Sequence, residues 1–528
     1  MTKVGVSMNK AIYINTHSHP EFQDMFPSVL KELLIQLHEN FNPRRIQLLE
    51  LRKERQKKYD QGAVPCYLLP EEKNFTDDHW KVATIPEVLR CRRVEITGPV
   101  SSAKMVINML SRNDQGARAD MCMMDFEDSM MPSWNNIIHG ISNAKHAVMG
   151  NLQLNTPQKN YKIDAEDMAY PMIRVRGLHL NESNVTIDGQ KIAAGLFDFA
   201  TTYFHCANYY LKRGWTPKYY IPKCEHYLEA RWWNELFVAV QKAAGHALST
   251  LRATFLIETL PATFQLEEIL YEIKDHAAGF NVGRWDKIFS DIKILKNHPD
   301  KILADRASIN MLKPWMENYA KRVIKVCHSH GAFAMGGMSA FTPGKLEEER
   351  KIQMAKVVED KSREFSWGHD GCWVSHPYFI APALSAFPEK NQLQKTLDSF
   401  PLHPEILPQG CAPYTKVGLA TNVRVAIAYQ QGWNEGNGCI AWDNLMEDLA
   451  TLEISRAQVW QWRKHKVTLD TGEQVTTSLL NAVFDEELQK ILKEVPASEH
   501  SKFKQAKIDA QKIFLQDQLA DFFTFDSL

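Results

Sequence analysis

The chain reads as an α/β protein: a (β/α)8 barrel with an N-terminal helical segment and a C-terminal helical domain capping the barrel mouth. Three observations carry that expectation. From about residue 90 to 400, short apolar or β-branched runs alternate with polar or glycine-containing turns and helical stretches. The runs number eight, the count of a closed parallel barrel. No glycine-rich phosphate turn follows the first run, where Thr97-Gly98-Pro99 stands instead, so an open doubly wound sheet is disfavoured.

The eight expected strands are Val94–Thr97, Ala119–Asp125, Pro171–Val175, Tyr219–Ile221, Ala253–Ile257, Gly279–Val282, Ala332–Met335 and Gly371–Ser375. Before them, residues 21–60 have helical spacing: Phe26, Val29, Leu30, Leu33, Leu34 and Leu37 recur at three- and four-residue steps. After them, Pro401, Pro404, Pro408 and Pro413 mark a junction. Helical patterns follow at Thr421–Gln431, Leu445–Trp462 and Phe484–Leu492. The expected domains are therefore 1–90, 91–405 and 406–528, since 528 residues exceed what one core usually serves.

Composition removes several function classes. Lys and Arg total 62 against 63 Asp and Glu, with no long basic block, so nucleic acid is not an expected partner. Nine scattered cysteines without a C-x-x-C pair point to a reducing compartment. Met1 to Pro20 lacks a signal-peptide core, no run is apolar enough to span a bilayer, and Asp526-Ser527-Leu528 lacks the basic residue of a peroxisomal address. A cytoplasmic protein is the expectation.

Barrel enzymes place reactive groups where strands end, so polar residues closing apolar runs are the first candidates. Run two closes with Asp125-Phe126-Glu127-Asp128-Ser129, run three with Arg174-Val175-Arg176 and run four with Pro222-Lys223. Run five closes with Glu258, run six with Gly283-Arg284-Trp285-Asp286, and run eight carries Trp373 ahead of His376-Pro377. Glu258 and Asp286 lie about one β/α unit apart, which sets them side by side on neighbouring strands. Two carboxylates without His or Cys suit a hard ion such as Mg2+ rather than zinc. Each also has a plainer reading, Glu258 as a loop acid and Asp286 as a helix N-cap. Cys439 is expected to be a small buried thiol rather than a nucleophile, and Cys327-His328-Ser329-His330 a solvated helix end rather than a metal cluster.

These segments resemble the malate synthase family. The resemblance is carried by Arg92-Arg93-Val94-Glu95-Ile96-Thr97-Gly98-Pro99, the Asp125–Ser129 motif, Arg174-Val175-Arg176-Gly177-Leu178-His179 and Leu256-Ile257-Glu258-Thr259-Leu260-Pro261-Ala262. It continues through Asn281–Ser290, Gly331–Met338, His369-Asp370-Gly371, Gly436–Cys439 and Leu445-Met446-Glu447-Asp448, and spans residues ~40 to 520.

The resemblance implies an acyltransferase of the glyoxylate bypass, which condenses glyoxylate with acetyl-CoA and hydrolyses malyl-CoA. It makes Glu258 and Asp286 the Mg2+ ligands, with Asp125, Glu127 and Asp128 supporting them through water. Arg174 becomes the arginine that stabilises the enolate, and Asp448 the base. Gly283, Arg284, Trp285, Asp286 and Trp373 would bind glyoxylate, with Pro377 near the thioester arm. The implied partners are these two small molecules, with a monomer as the expected state. Taken without the resemblance, Asp448 reads as a solvated acid in an amphipathic helical stretch, Arg174 as a structural partner of the Asp125–Asp128 acids, and both tryptophans as core. A related barrel lyase that cleaves 3-hydroxyacyl-CoA is the main alternative, distinguished by lacking the domain that carries Asp448. A catalytically silent barrel would have lost some of Arg174, Glu258, Asp286 and Asp448, yet all four are present.

Overall fold

A computed structural model describes residues 11–16 and 19–523. Much of the stretch searched for a signal peptide, and Asp526-Ser527-Leu528, lie outside the described residues. At the centre is a closed barrel of eight strands: β1 Val94–Pro99, β2 Met121–Asp125, β3 Tyr170–Arg174, β4 Lys218–Ile221, β5 Arg252–Ile257, β6 Ala277–Val282, β7 Phe333–Ser339 and β8 Gly371–Val374. Neighbours pair in parallel all the way round, and β8 closes on β1. The strands are buried almost throughout, which is why they read as apolar runs rather than as alternating ones.

All eight expected strands are present. The largest boundary difference is in β7, expected to end at Met335 but continuing to Ser339. There the pairing with β8 slips between Met335 and Met338, across Gly336-Gly337. A side chain on Gly336 would meet the buried Glu364 carboxylate, so the irregularity depends on a packing partner remote in sequence.

The helical lead-in is α1, Ser28–Asp60, which buries Leu30, Leu34, Leu37 and Leu48. Val29, expected on the same stripe, is 67% exposed instead. Arg45 fixes this helix to the barrel by donating to the Leu178 and Leu180 carbonyls at 2.6 and 2.9 Å. Two small antiparallel sheets were not anticipated: Ile12–Ile14 with Asn181–Ile187 and Gln190–Ala193, and Gln153–Asn155 with Asn160–Lys162. Each strand there is too short or too polar to stand out as a periodic run.

Helix α2, Arg284–Ile294, follows β6. The C-terminal domain consists of α3 Lys416–Asn434, a hairpin of β9 Ile440–Trp442 and β10 Leu445–Glu447, then α4 Leu449–Lys464, α5 Thr477–Glu494 and α6 His500–Phe514. This corrects the expectation of one helix over Leu445–Trp462. Asp443 and Asn444 both adopt positive φ, 47° and 63°, a geometry suited to a tight two-residue hairpin turn, so Leu445–Glu447 is strand and the helix starts after Asp448.

What positions this domain is an apolar seam. Ile288, Phe289 and Ile292 of α2 pack against Ile454, Ala457 and Trp460 of α4, with Leu303 and Trp315 completing the cluster. Each of the Ile, Leu and Phe side chains there contributes roughly 1.5–3 kcal/mol on burial. Trp462 Nε1 and Gln458 Nε2 add bonds to the Leu303 and Ala304 carbonyls at 2.9 and 2.6 Å. All nine cysteines are free thiols. Among the described residues, no helix is long and apolar enough to cross a membrane.

Candidate active site

At the C-terminal ends of β2 to β6, five carboxylates and two cations meet out of water. The pairing of β2 with β3 places Asp125 beside Arg174. Arg174 grips Asp125 with a fork, Nε to Oδ1 and Nη2 to Oδ2, both at 2.6 Å. Its Nη1 makes longer contacts, 3.4 Å to Asp128 Oδ2 and 3.5 Å to Glu127 Oε2. Asp125 also accepts from the Glu127 and Ser129 N–H groups at 2.9 Å, which folds the motif back on its own strand end.

Glu258 follows β5 and Gly283 follows β6, where Ile257 pairs with Val282. A Cβ at Gly283 would sit 2.7 Å from the Glu258 Cβ, so this glycine is what admits the glutamate. The Gly283 N–H donates to Tyr319 Oη at 3.2 Å. Asp286 is the third residue of α2, in the first helical turn, rather than the cap of a helix starting at Lys287. An acid there interacts favourably with the helix dipole.

Lys223, which closes β4, stands among the acids. Its Nζ donates to both Asp128 oxygens at 3.0 and 2.9 Å. It lies 3.2 Å from Glu127 Oε1, 3.3 Å from Asp286 Oδ1 and 4.0 Å from Glu258 Oε1. Its backbone N–H donates to Glu258 Oε1 at 2.7 Å. Sequence reasoning noted this residue only as a strand closer and assigned it no role. The signal available was its place: a lysine ending an apolar strand on the rim that bears the acids.

Asp448 is the N-cap of α4, not a residue within an amphipathic helix, and is only 8% exposed. Its Oδ1 accepts from Thr451 N–H at 3.4 Å, while Thr451 Oγ1 accepts from the Asp448 N–H at 3.0 Å, a reciprocal cap. The next residue ties the domains together, because Leu449 N–H donates to the Asp128 carbonyl at 3.1 Å. Met446 N–H does the same to Ala340 at 2.7 Å. Gly438 lies so close to the Met130–Met131 backbone that any side chain would collide with it.

The result is a cavity whose walls include Asp128, Arg174, Glu258, Arg284, Trp285, Asp286 and Trp373 from the barrel and Asp448 from the C-terminal domain. Trp373 is held by donating from Nε1 to Glu95 Oε2 at 2.9 Å, with the Arg174 guanidinium 5.8 Å from its ring centre. Trp285 lies under Arg284 and Arg306. Pro377 is not on this cavity. It lines an adjoining groove that shares Thr97, Met105, Ser375 and Met446 with the cavity and carries Arg112, Lys159 and Lys162.

One further expectation holds in its chemistry and another changes. Cys439 is half-buried and lines the cavity, and burial followed by the nearby Asp448 pushes its thiol up to about 12, so it is no nucleophile. His328 and His330 are buried rather than solvated: His328 Nε2 lies 2.9 Å from Asp370 Oδ2, and His330 stacks on Trp80 at 3.6 Å.

The electrostatics follow from crowding. Burial and mutual repulsion raise Glu127, Glu258 and Asp286 above the ordinary carboxylate range despite the pull of Lys223. Asp128 pays the same burial penalty, yet Lys223 and Arg174 hold it low. Burial, then Asp128, lifts Asp448 to about 7. Glu127 Oε1 and Oε2 and Asp286 Oδ1 are buried and receive no hydrogen bond. Acceptor-only oxygens left unbonded out of water fit a further cation. Among the described residues, no three His, Cys, Asp or Glu side chains form a cluster able to hold a metal, and the Lys223 ammonium lies between the two acid pairs. Mg2+ needs only one or two carboxylates beside water and substrate oxygens, so Glu258 with Asp286 suffices.

Family models cover most of the chain: "Malate synthase, N-terminal domain" matches residues 14–73, "Malate synthase, TIM barrel domain" 171–403 and "Malate synthase, C-terminal" 413–528. Malate synthase A of Escherichia coli (strain K12) is 40% identical over 537 residues, covering 99% of this chain and 98% of that protein. A malate synthase of Myxococcus xanthus is 41% identical over 483 residues, covering 90% and 88%. A glyoxysomal malate synthase of Ricinus communis is 37% identical over 552 residues, covering 100% and 95%. Identity at this level covers both the barrel and the C-terminal domain, and the chain belongs to the malate synthase family.

Proposed function

We propose that this chain condenses glyoxylate with the methyl carbon of acetyl-CoA and hydrolyses the resulting malyl-CoA to malate and CoA. The observation that carries the reading is one cavity walled by Glu258, Asp286 and Arg174 of the barrel and by Asp448 of the capping domain. A base on one domain facing an electrophile-binding acid pair on another is what joining two separate substrates requires.

Asp448 removes a methyl proton. Its raised pKa near 7 makes it a stronger base than an ordinary carboxylate while leaving much of it ionised at neutral pH. Arg174, locked by the Asp125 fork, keeps Nη1 with only long contacts, and that N–H supports the enolate oxygen as its charge develops. Mg2+ on Glu258 and Asp286 would supply Lewis acidity toward the glyoxylate aldehyde. Asp125, Glu127 and Asp128 back this pair through the shared lysine and arginine. Trp285, Trp373, Arg284 and the N-terminus of α2 around Asp286 enclose the glyoxylate, whose carboxylate suits a helix N-terminus. The groove bearing Pro377 takes the CoA arm, with Lys159 and Lys162 facing its phosphates, while Arg112 there is forked to Asp167.

The same reading takes the protein as a cytoplasmic monomer built of segments 1–90, 91–405 and 406–528. Nine free thiols support a reducing compartment. Thiol release from acetyl-CoA tests the activity: it requires glyoxylate and stops with EDTA. Release indifferent to either would end the proposal.

A further inference from the structure

Lys223 is buried where no solvent compensates its charge, and its backbone adopts φ +53°, a left-handed conformation that side chains other than Gly, Asn and Asp rarely take. Such strain persists only where the surroundings enforce it and it concentrates at functional sites. Here two things enforce it: the backbone N–H is bonded to Glu258 Oε1, and the ammonium is bonded to Asp128.

The contacts of this ammonium fall into two kinds. Those to Asp128 are hydrogen bonds of 2.9 and 3.0 Å. Those to Asp286 Oδ1 and Glu258 Oε1, at 3.3 and 4.0 Å, are electrostatic, and Asp286 Oδ1 receives no hydrogen bond at all. The cluster is also short of positive charge: among the described residues, Asp125, Glu127, Asp128, Glu258 and Asp286 pair only with Arg174 and Lys223. Arg174 is committed to Asp125, so Lys223 is the cation that spans the Glu127–Asp128 pair and the Glu258–Asp286 pair.

We propose that Lys223 is a resident counter-ion: it holds the two acid pairs together in the metal-free protein and yields its contacts with Asp286 and Glu258 when a divalent cation binds there. The inference rests on the reading of Glu258 and Asp286 as metal ligands. Two cations cannot both lie against the same pair of carboxylates without strong repulsion at low dielectric. Lys223 therefore weakens metal binding by competition while preventing the empty site from repelling itself apart. Lys223 is a positioning residue.

Isothermal titration of MgCl2 into EDTA-stripped, dialysed protein, wild type against Lys223→Met, tests this, together with thermal unfolding of both in EDTA and in Mg2+. The variant is expected to bind Mg2+ at least about tenfold more tightly. Its unfolding temperature is expected to fall in EDTA and to return toward the wild-type value in saturating Mg2+. Equal or weaker binding by the variant, or an equal loss of stability in both conditions, overturns the inference and leaves the metal site standing. Wild-type protein that takes up no Mg2+ removes the metal-site reading and this inference with it. Should the variant fail to fold, crystal structures of the wild type in EDTA and in MgCl2 decide: Nζ must leave Asp286 when the ion is present, and an unchanged contact refutes the competition.

Discussion

Two buried polar clusters lie in the same barrel, one inside it and one at its mouth, and they are built on opposite principles. Inside, Glu95 accepts from Arg92 Nε at 2.7 Å, from Trp373 Nε1 at 2.9 Å and from Tyr220 Oη, while Lys218 donates to Thr254 at 2.9 Å. One carboxylate there faces Arg92 and the Lys218 amine, which burial and then Arg92 hold well below the ordinary lysine value, and both its oxygens are bonded, leaving only Arg92 Nη1 of that cluster without a partner. At the mouth, five carboxylates face two cations and three acid oxygens are left unbonded. The interior cluster is complete in itself and supports Trp373 from below. The mouth is incomplete and is finished by what it binds. Satisfied polar networks rigidify; unsatisfied ones are retained where a ligand completes them.

The sharpest break in this contrast is Asp448→Asn. The change should cost about 10²–10⁴ in turnover, the usual worth of a general base, with Mg2+ binding and unfolding temperature kept. Thiol-release kinetics and calorimetry check it together, and an active variant would remove Asp448 from the mechanism.

Glu95→Gln should do the reverse kind of damage. Removing the carboxylate that pairs with Arg92 leaves the buried guanidinium poorly compensated, at a cost of about 3–5 kcal/mol in denaturant unfolding. If stability held and only activity fell, the interior cluster would have to be counted as part of the reaction machinery.

A third effect is graded with pH. The base works ionised and its pKa lies near 7, so kcat/KM should rise tenfold per unit on the acid side and level off above about pH 7. A profile flat down to pH 5 contradicts the raised value.

The smallest effect concerns a closed pair at the opposite end of the barrel. Burial alone would lower His328, yet Asp370 raises it above the ordinary histidine value. A raised folded-state pKa contributes stability that is fully present below about pH 6.5 and lost as pH climbs through the folded value. The stability lost in His328→Asn should thus be about 1.5–3 kcal/mol at pH 6 and shrink toward alkaline pH. A difference that grows with pH would mean the histidine is neutral in the fold.

How much of this was legible differs from residue to residue. Asp125, Arg174, Glu258 and Asp286 announced themselves as polar residues ending apolar runs, because a barrel strand is buried up to its rim and solvated or reactive beyond it. Lys223 ended such a run too, but nothing local says that its ammonium reaches residues 95 positions earlier and 63 later. Asp448 was visible only through family resemblance, and even then its setting was misread. The Asp443-Asn444 turn that separates β10 from α4 gives no periodic signal, so strand and helix merged into one expected helix. His328 and His330 looked like a solvated helix end because the Asp370 and Trp80 that cover them come from distant segments.

Run lengths, their number and the residues that close them determine that this chain makes an eight-stranded barrel with an acidic rim. Those properties are local, set by side-chain hydropathy and β-branching within a few residues. Where the capping domain sits was decided in three dimensions. The α2–α4 seam brings Asp448 to the cavity that Asp286 also lines, and the balance of five acids against two cations exists only once five separate segments converge. Sequence neighbours govern secondary structure, whereas electrostatics and burial depend on distance through space.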